Sequence, residues 1–243
     1  MEATSIEYLG QNISLDGKLM ERKVYYHWNS LYSNMIPSSI GKVLSPFDYG
    51  IRKNGEDISI SSFLMNSDDV TLETIFQFIK DTMHNGRIDE LQSQFLYILN
   101  SNNKVHYNPI LSLKFARGVL DKVSLYVAPL FEKSWMSDYL SRTMETFAMK
   151  SHNNIRDMVH DFVTSKNMDL FMTAWDFCND ANLYYKVYLK NKNPLLVEDT
   201  FRRQIQELAP YLTVPGFRFC EIAFPFVNDC LTHYNLYYKP QSR

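Results

Sequence analysis

Apolar residues recur along most of this chain at three- and four-residue steps, the spacing that places them on one face of a helix. From Asn193 the pattern runs Val197, Phe201, Ile205, Leu208 and stops at Pro210. After Pro215-Gly216 it resumes as Phe219, Ile222, Ala223, Phe226, Val227, Cys230, Leu231 and Tyr234, with Pro225 as an expected kink. The spacing therefore predicts a C-terminal helical hairpin. The opposite face of its first helix carries Glu198, Asp199, Arg202, Arg203 and Glu207. From Met168 to Leu189 apolar or aromatic residues occupy nearly every face, as in a helix surrounded by protein.

Shorter helices are expected from Asp68 or Asp69 through Leu72, Ile75, Phe76 and Ile79, and over Arg87–Leu99 after the His84-Asn85-Gly86 break. Further helices are expected over Pro109–Val127, Trp135–Met149 and Asn154–Val163. The first sixty or so residues differ. Asp16-Gly17 between Ile13 and Leu19 is a hairpin signal, Val24 to Trp28 is rich in strand formers, and Asn54-Gly55 precedes the alternating Ile58 and Ile60. The expected fold is α+β and mostly α. Residues 1–65 form a small antiparallel β region packed on a multi-helix domain of residues 66–243.

Charge adds little to this picture. The chain has 25 Lys and Arg against 27 Asp and Glu, so no whole-protein field draws it to nucleic acid or membrane. The apolar runs are too short to span a bilayer, and the N-terminus lacks the basic start and apolar core of a secretory signal. Cys178, Cys220 and Cys230 fall on apolar stripes and read as free buried thiols in a reducing compartment.

Candidate chemistry is sparse. The glycines are scattered singly, without a phosphate-binding loop, and no serine stands in a nucleophile elbow. His152, His160 and Asp161 are the best metal candidates, with Asp157 and Asp180 near them, and would suit a metal-dependent phosphohydrolase. Ordinary polar residues on a solvated helix face are by far the plainer account of them. Asp176 and Asp180, one turn apart on the central helix, form a possible carboxylate pair. The expectation is a non-enzymatic protein with no cofactor and no bound metal.

Two binding surfaces remain. Lys186, Lys190, Arg202 and Arg203, interleaved with Tyr184, Tyr185 and Tyr188, could hold single-stranded RNA by charge and stacking. The plainer account is the preference of basic residues for a helix C-terminus. Tyr25, Tyr26, Trp28 and Tyr32 form an aromatic cluster suited to a protein interface. On a strand, Tyr25 and His27 share one face, Tyr26 and Trp28 the other.

Ile36-Pro37-Ser38-Ser39-Ile40, then Arg202-Arg203, Glu207, Pro215-Gly216-Phe217, Glu221-Ile222 and Cys230-Leu231, resemble in order the phlebovirus non-structural NSs proteins. The resemblance covers about a quarter of the chain. Unlike most of that family, the chain has no Trp-Pro pair and ends on Lys239 and Arg243 instead of an acidic tail. The resemblance implies a viral antagonist of innate immunity or of transcription and translation control. It would act in the host cytoplasm, or the nucleus, by binding a host regulatory protein through Tyr25, Tyr26, Trp28 and Tyr32.

Overall fold

The computed structural model describes residues 5–27, 50–54, 57–63, 72–100, 106–116, 119–130, 157, 168–191, 205–228 and 230–241. Within them the protein is mostly β: eleven strands, two α-helices and one short 3-10 helix. The expectation of a mostly helical chain is overturned. The strands are β1 (Ser5–Ser14), β2 (Leu19–His27), β3 (Gly50–Asn54), β4 (Asp57–Phe63), β5 (His106–Ala116), β6 (Val119–Leu130), β7 (Met168–Cys178), β8 (Tyr184–Asn191), β9 (Phe217–Val227), β10 (Cys230–Leu231) and β11 (His233–Pro240). The helices are α1 (Leu72–Thr82) and α2 (Ile88–Asn100), and the 3-10 helix is Gln206–Tyr211.

The chain divides into two compact units. The first comprises Met1–Ile6, Tyr25–Leu130 and Ala174–Leu183; the second comprises Glu7–Val24, Phe131–Thr173 and Tyr184–Arg243. In the first unit the strand order is β3-β4-β5-β6, with Tyr25–His27 of β2 antiparallel to β3. Leu111 faces Leu125 and Leu113 faces Val123 across β5 and β6, all four buried. Ser112 opposite Ser124 and Lys114 opposite Lys122 make the other face. α1 and α2 join the apolar side. Phe76 meets Phe95 at 5.6 Å and Phe177 of β7 at 6.1 Å, while Phe95 meets Trp175 of β7 edge-on at 4.8 Å. Such ring pairs contribute about 0.5–1.5 kcal/mol each beyond the area they bury.

In the second unit the order is β8-β9-β11-β1-β2, with β10 also on β9. The β1–β2 turn closes with Gly17 donating to the Ser14 carbonyl at 3.0 Å, where Asp16-Gly17 predicts it. Gly17 takes φ of +80°, a conformation in which a side chain would be strained. Tyr211 Oη donates to the Gly17 carbonyl at 2.8 Å and ties the 3-10 helix to this turn.

Three expected helices are strands instead. Met168–Leu189 is β7 and β8 joined by the turn at Asn179–Asn182, and Pro109–Val127 is β5 and β6. The second helix of the C-terminal hairpin is β9 to β11. The first, expected from Asn193, lies outside the described residues up to Ile205, after which the chain forms the 3-10 helix. Eight consecutive residues of β9, Phe219 to Phe226, are buried, so this strand shows no in–out alternation to set against a helical stripe. Pro225 sits where β10 and β11 break at Thr232, and its carbonyl accepts from the Thr232 amide at 3.0 Å. The helices expected over Trp135–Met149 and Asn154–Val163 lie outside the described residues, Asp157 apart. The helices at Leu72–Thr82 and Ile88–Asn100 match the periodicity.

Candidate functional site

Strand pairing in the second unit sorts its side chains onto two faces. On one face Tyr185, Val187 and Leu189 of β8 lie opposite Phe226, Phe224 and Ile222 of β9, and Leu236 lies opposite Ile222. All are buried and, Tyr185 apart, wholly apolar.

The other face is polar. Lys186, Tyr188 and Lys190 of β8 lie opposite Pro225, Ala223 and Glu221. Asn235 and Tyr237 of β11 pair with Ala223 and Glu221 from the other side. Gly10, Asn12 and Ser14 of β1 stand opposite Tyr237, Asn235 and His233, so these strands share the face. The Asn12 carboxamide donates to Glu21 at 3.1 Å, and Glu21 pairs with Lys23 at 2.8 Å, which brings β2 onto it as well. A strand repeats its direction every second residue, so Tyr184 and Tyr8 belong here too.

At the centre the Tyr188 and Tyr237 rings are 6.1 Å apart. Tyr188 is buried, Tyr184, Lys186, His233, Tyr237 and Lys239 are half-buried, and Lys190 is exposed. Lys239 lies 5.0 Å over the Tyr8 ring, and Lys190 lies 5.2 Å over Phe171. Burial raises the Tyr8 hydroxyl above its usual range despite the nearby lysine. The tie to Tyr8 raises Lys239, so this lysine stays charged.

His233 reads the field on this face. Burial pushes its imidazole below the usual value, and the positive charges of Lys23 and Lys186 push it further the same way. Asn235 and Glu21 act in the opposite sense without reversing the outcome. The region around His233 is therefore both partly dry and electropositive, a setting in which charge acts more strongly than in open water.

A second polar cluster belongs to the first unit. Lys122 pairs with Asp176 at 2.7 Å, and Ser124 Oγ donates to the same carboxylate at 2.6 Å. Asp176 and Asp180 are not a helical pair. Asp176 is buried within β7, whereas Asp180 is exposed in the following turn and accepts from the Asn182 amide at 2.9 Å.

The structure brings together Lys186 and Lys190 on one face of a strand, not near a helix end. Arg202 and Arg203 lie outside the described residues. So do His152, His160 and Asp161, and among the described residues no cluster of His, Cys, Asp or Glu is arranged to hold a metal. The backbone of Tyr25 and Tyr26 pairs in register with Arg52 and Ile51 of β3, and their side chains lie outside what the structure describes. Trp28 and Tyr32 lie outside the described residues. Among those residues no helix is long and apolar enough to cross a membrane.

Sequence reasoning missed Lys23, His233, Tyr237 and Lys239. A signal exists: Lys23-Val24-Tyr25 and Lys186-Val187-Tyr188 repeat one tripeptide, which on a strand sets lysine and tyrosine side by side. No family model, no curated protein and no solved structure matches the chain.

Proposed function

We propose that the polar face of the second unit binds a small ligand carrying a compact anionic group, such as a phosphate or diphosphate. Lys186 and Lys23 supply the charge, and the half-buried Tyr184 and Tyr237 rings offer flat surface for the rest of the molecule. The observation that carries this reading is the register that sets Lys186, Tyr188 and Lys190 on the same face as Asn235 and Tyr237. A lysine in a half-buried setting donates charge-assisted hydrogen bonds to phosphate oxygens with less competition from water.

The same lysines support the RNA reading, but burial favours a small ligand. A polymer needs an open track along which bases stack, and Tyr188 is only 4% exposed. The host-partner reading rests on rings whose side chains lie outside the described residues and on a family likeness that no comparison supports. The anion-binding reading is therefore preferred.

Titration calorimetry with inorganic pyrophosphate at low salt tests it. Binding should be measurable and should weaken by about tenfold or more in Lys186→Gln, the loss of one hydrogen bond to a charged group. No binding heat, or the same affinity in that variant, would overturn the proposal. Tighter binding of a single-stranded oligonucleotide that grows with its length would return the RNA reading.

A further inference from the structure

Resting on that reading of the site, we propose that filling the anion site adds a proton to His233, so that binding couples to proton uptake and strengthens as pH falls.

The contacts around the ring suit its charged form. Thr232 Oγ1 lies 2.8 Å from His233 Nδ1 and 3.1 Å from the Pro225 carbonyl. In the charged ring both nitrogens carry hydrogen, so Nδ1 donates to the hydroxyl while the hydroxyl donates its own proton to the carbonyl. Proton uptake therefore keeps both contacts and leaves Nε2 as a second donor.

The surroundings then set the direction of coupling. From β2, Lys23 and Glu21 act on the imidazole, and from β8, Lys186 does. The residues beside it on β1 and β9, Ser14 and Pro225, bring no titratable group. With the site empty, burial and the two lysines hold the ring neutral. An anion held by Lys186 and Lys23 cancels their push and adds an attraction of its own, so the charged ring becomes favourable.

A second observation points the same way. Asn235 stands two residues along the same strand and face, about nine-tenths buried at 8% exposure. Its Oδ1 has no hydrogen-bond partner of good geometry, yet its carboxamide lies close enough to favour the charged imidazole. The site thus holds a spare acceptor beside the group that gains a donor. A buried acceptor left unmatched is destabilising, and a donor on the protonated ring can relieve it.

Sulfate is the probe for the test, because it is a compact dianion that does not titrate near neutrality. Its affinity for the full chain is measured by calorimetry from about pH 5.5 to about pH 8, in buffers of different ionisation enthalpy. The expected result is tighter binding toward acid, by at most about tenfold per pH unit, with a binding heat that shifts with the buffer as one group takes up a proton. In His233→Gln the pH dependence should flatten, whatever the absolute affinity. If that variant does not fold, the buffer dependence of the wild type and the His233 ring signals by NMR decide the question. Binding that is independent of pH and buffer, or a pH slope that persists in His233→Gln, would overturn the coupling and leave the anion site standing. Absence of sulfate and pyrophosphate binding at every pH would overturn both.

Discussion

Lys122 of β6 and Asp176 of β7 form an ion pair at 2.7 Å in which the carboxylate is 4% exposed and the ammonium 24%. Ser124 Oγ donates to the other carboxylate oxygen, so one buried acid is held by a charge and a hydroxyl from the neighbouring strand. Breaking such a pair from one side strands the surviving charge, which costs about 3–5 kcal/mol when both partners are dry. The partial exposure of Lys122 softens that figure. Asp176→Ala is therefore expected to cost about 3 kcal/mol in urea unfolding. Lys122→Met with Asp176→Leu, which removes both charges and keeps the volume, should recover most of the loss. A cost below about 1 kcal/mol for Asp176→Ala would mean that water reaches the pair.

Two glycines separate backbone strain from steric crowding. Gly17 has φ of +80° and Gly216 +78°, so alanine at either position meets the left-handed penalty of about 1 kcal/mol. A Cβ at Gly17 would also lie 3.0 Å from Glu207 Cβ, whereas at Gly216 nothing lies within 4 Å. Gly17→Ala should therefore lower the unfolding free energy by clearly more than Gly216→Ala. Equal losses in parallel denaturant titrations would show that the Gln206–Tyr211 segment shifts aside freely.

These two glycines also mark how far the fold could be read from residues alone. Asp16-Gly17 announced its hairpin because the turn needs a positive φ that glycine allows. The helices at 72–82 and 88–100 were legible because only one face of each is apolar, as in Ile75, Phe76 and Ile79. β7 was hidden because Thr173 to Phe177 are all buried, which erases the period of two, so that an apolar run resembles a buried helix. β8 does alternate, with Tyr185, Val187 and Leu189 set against Lys186 and Lys190. The informative break was Asn179-Asp180-Ala181-Asn182, a turn-forming tetrapeptide inside that run. β9 hid for the same reason, with Pro225 read as a helix kink. The lysines of the candidate site were half legible: Lys186 and Lys190 stood out as basic residues among tyrosines. Lys23, His233 and Lys239 come from strands far apart in sequence, and only the register of β2, β8 and β11 collects them.

Tyr238 links β11 to β1 and to the 3-10 helix: its hydroxyl lies 3.1 Å from Gln11 Oε1 and also reaches the Tyr211 carbonyl. The phenol has one proton for these two acceptors, and Gln11 is 2% exposed, so Tyr238→Phe removes the one donor that the buried pair shares. The expected cost is about 1–2 kcal/mol. Adding Gln11→Leu should cost less in the Tyr238→Phe background than in the wild type, because the contact between the two side chains is already gone. Additive losses in the double-mutant cycle would dissolve the link between these two side chains.

The three thiols should report burial by chemistry. Burial pushes Cys178 up to about 11 and Cys220 up to about 12, while Cys230, expected to be buried like them, is exposed at the start of β10. At mildly alkaline pH a disulfide-exchange reagent should label one thiol quickly in the native protein and all three after unfolding. The same shifts set the sign of the alkaline response. Both thiols stay protonated in the native state above their ordinary value of 9.0, whereas the unfolded chain ionises there and gains stability. Their contribution is complete below pH 9 and is lost as pH rises toward 11 and 12. The buried hydroxyls of Tyr8, Tyr234 and Tyr238, also raised, add to the decline only above their ordinary value of 10.0. Between pH 9 and 10 the thiols therefore dominate, and Cys178→Ala with Cys220→Ala should flatten the fall in urea midpoint across that window. A midpoint that falls as steeply in the double variant would assign the alkaline loss to groups other than these cysteines.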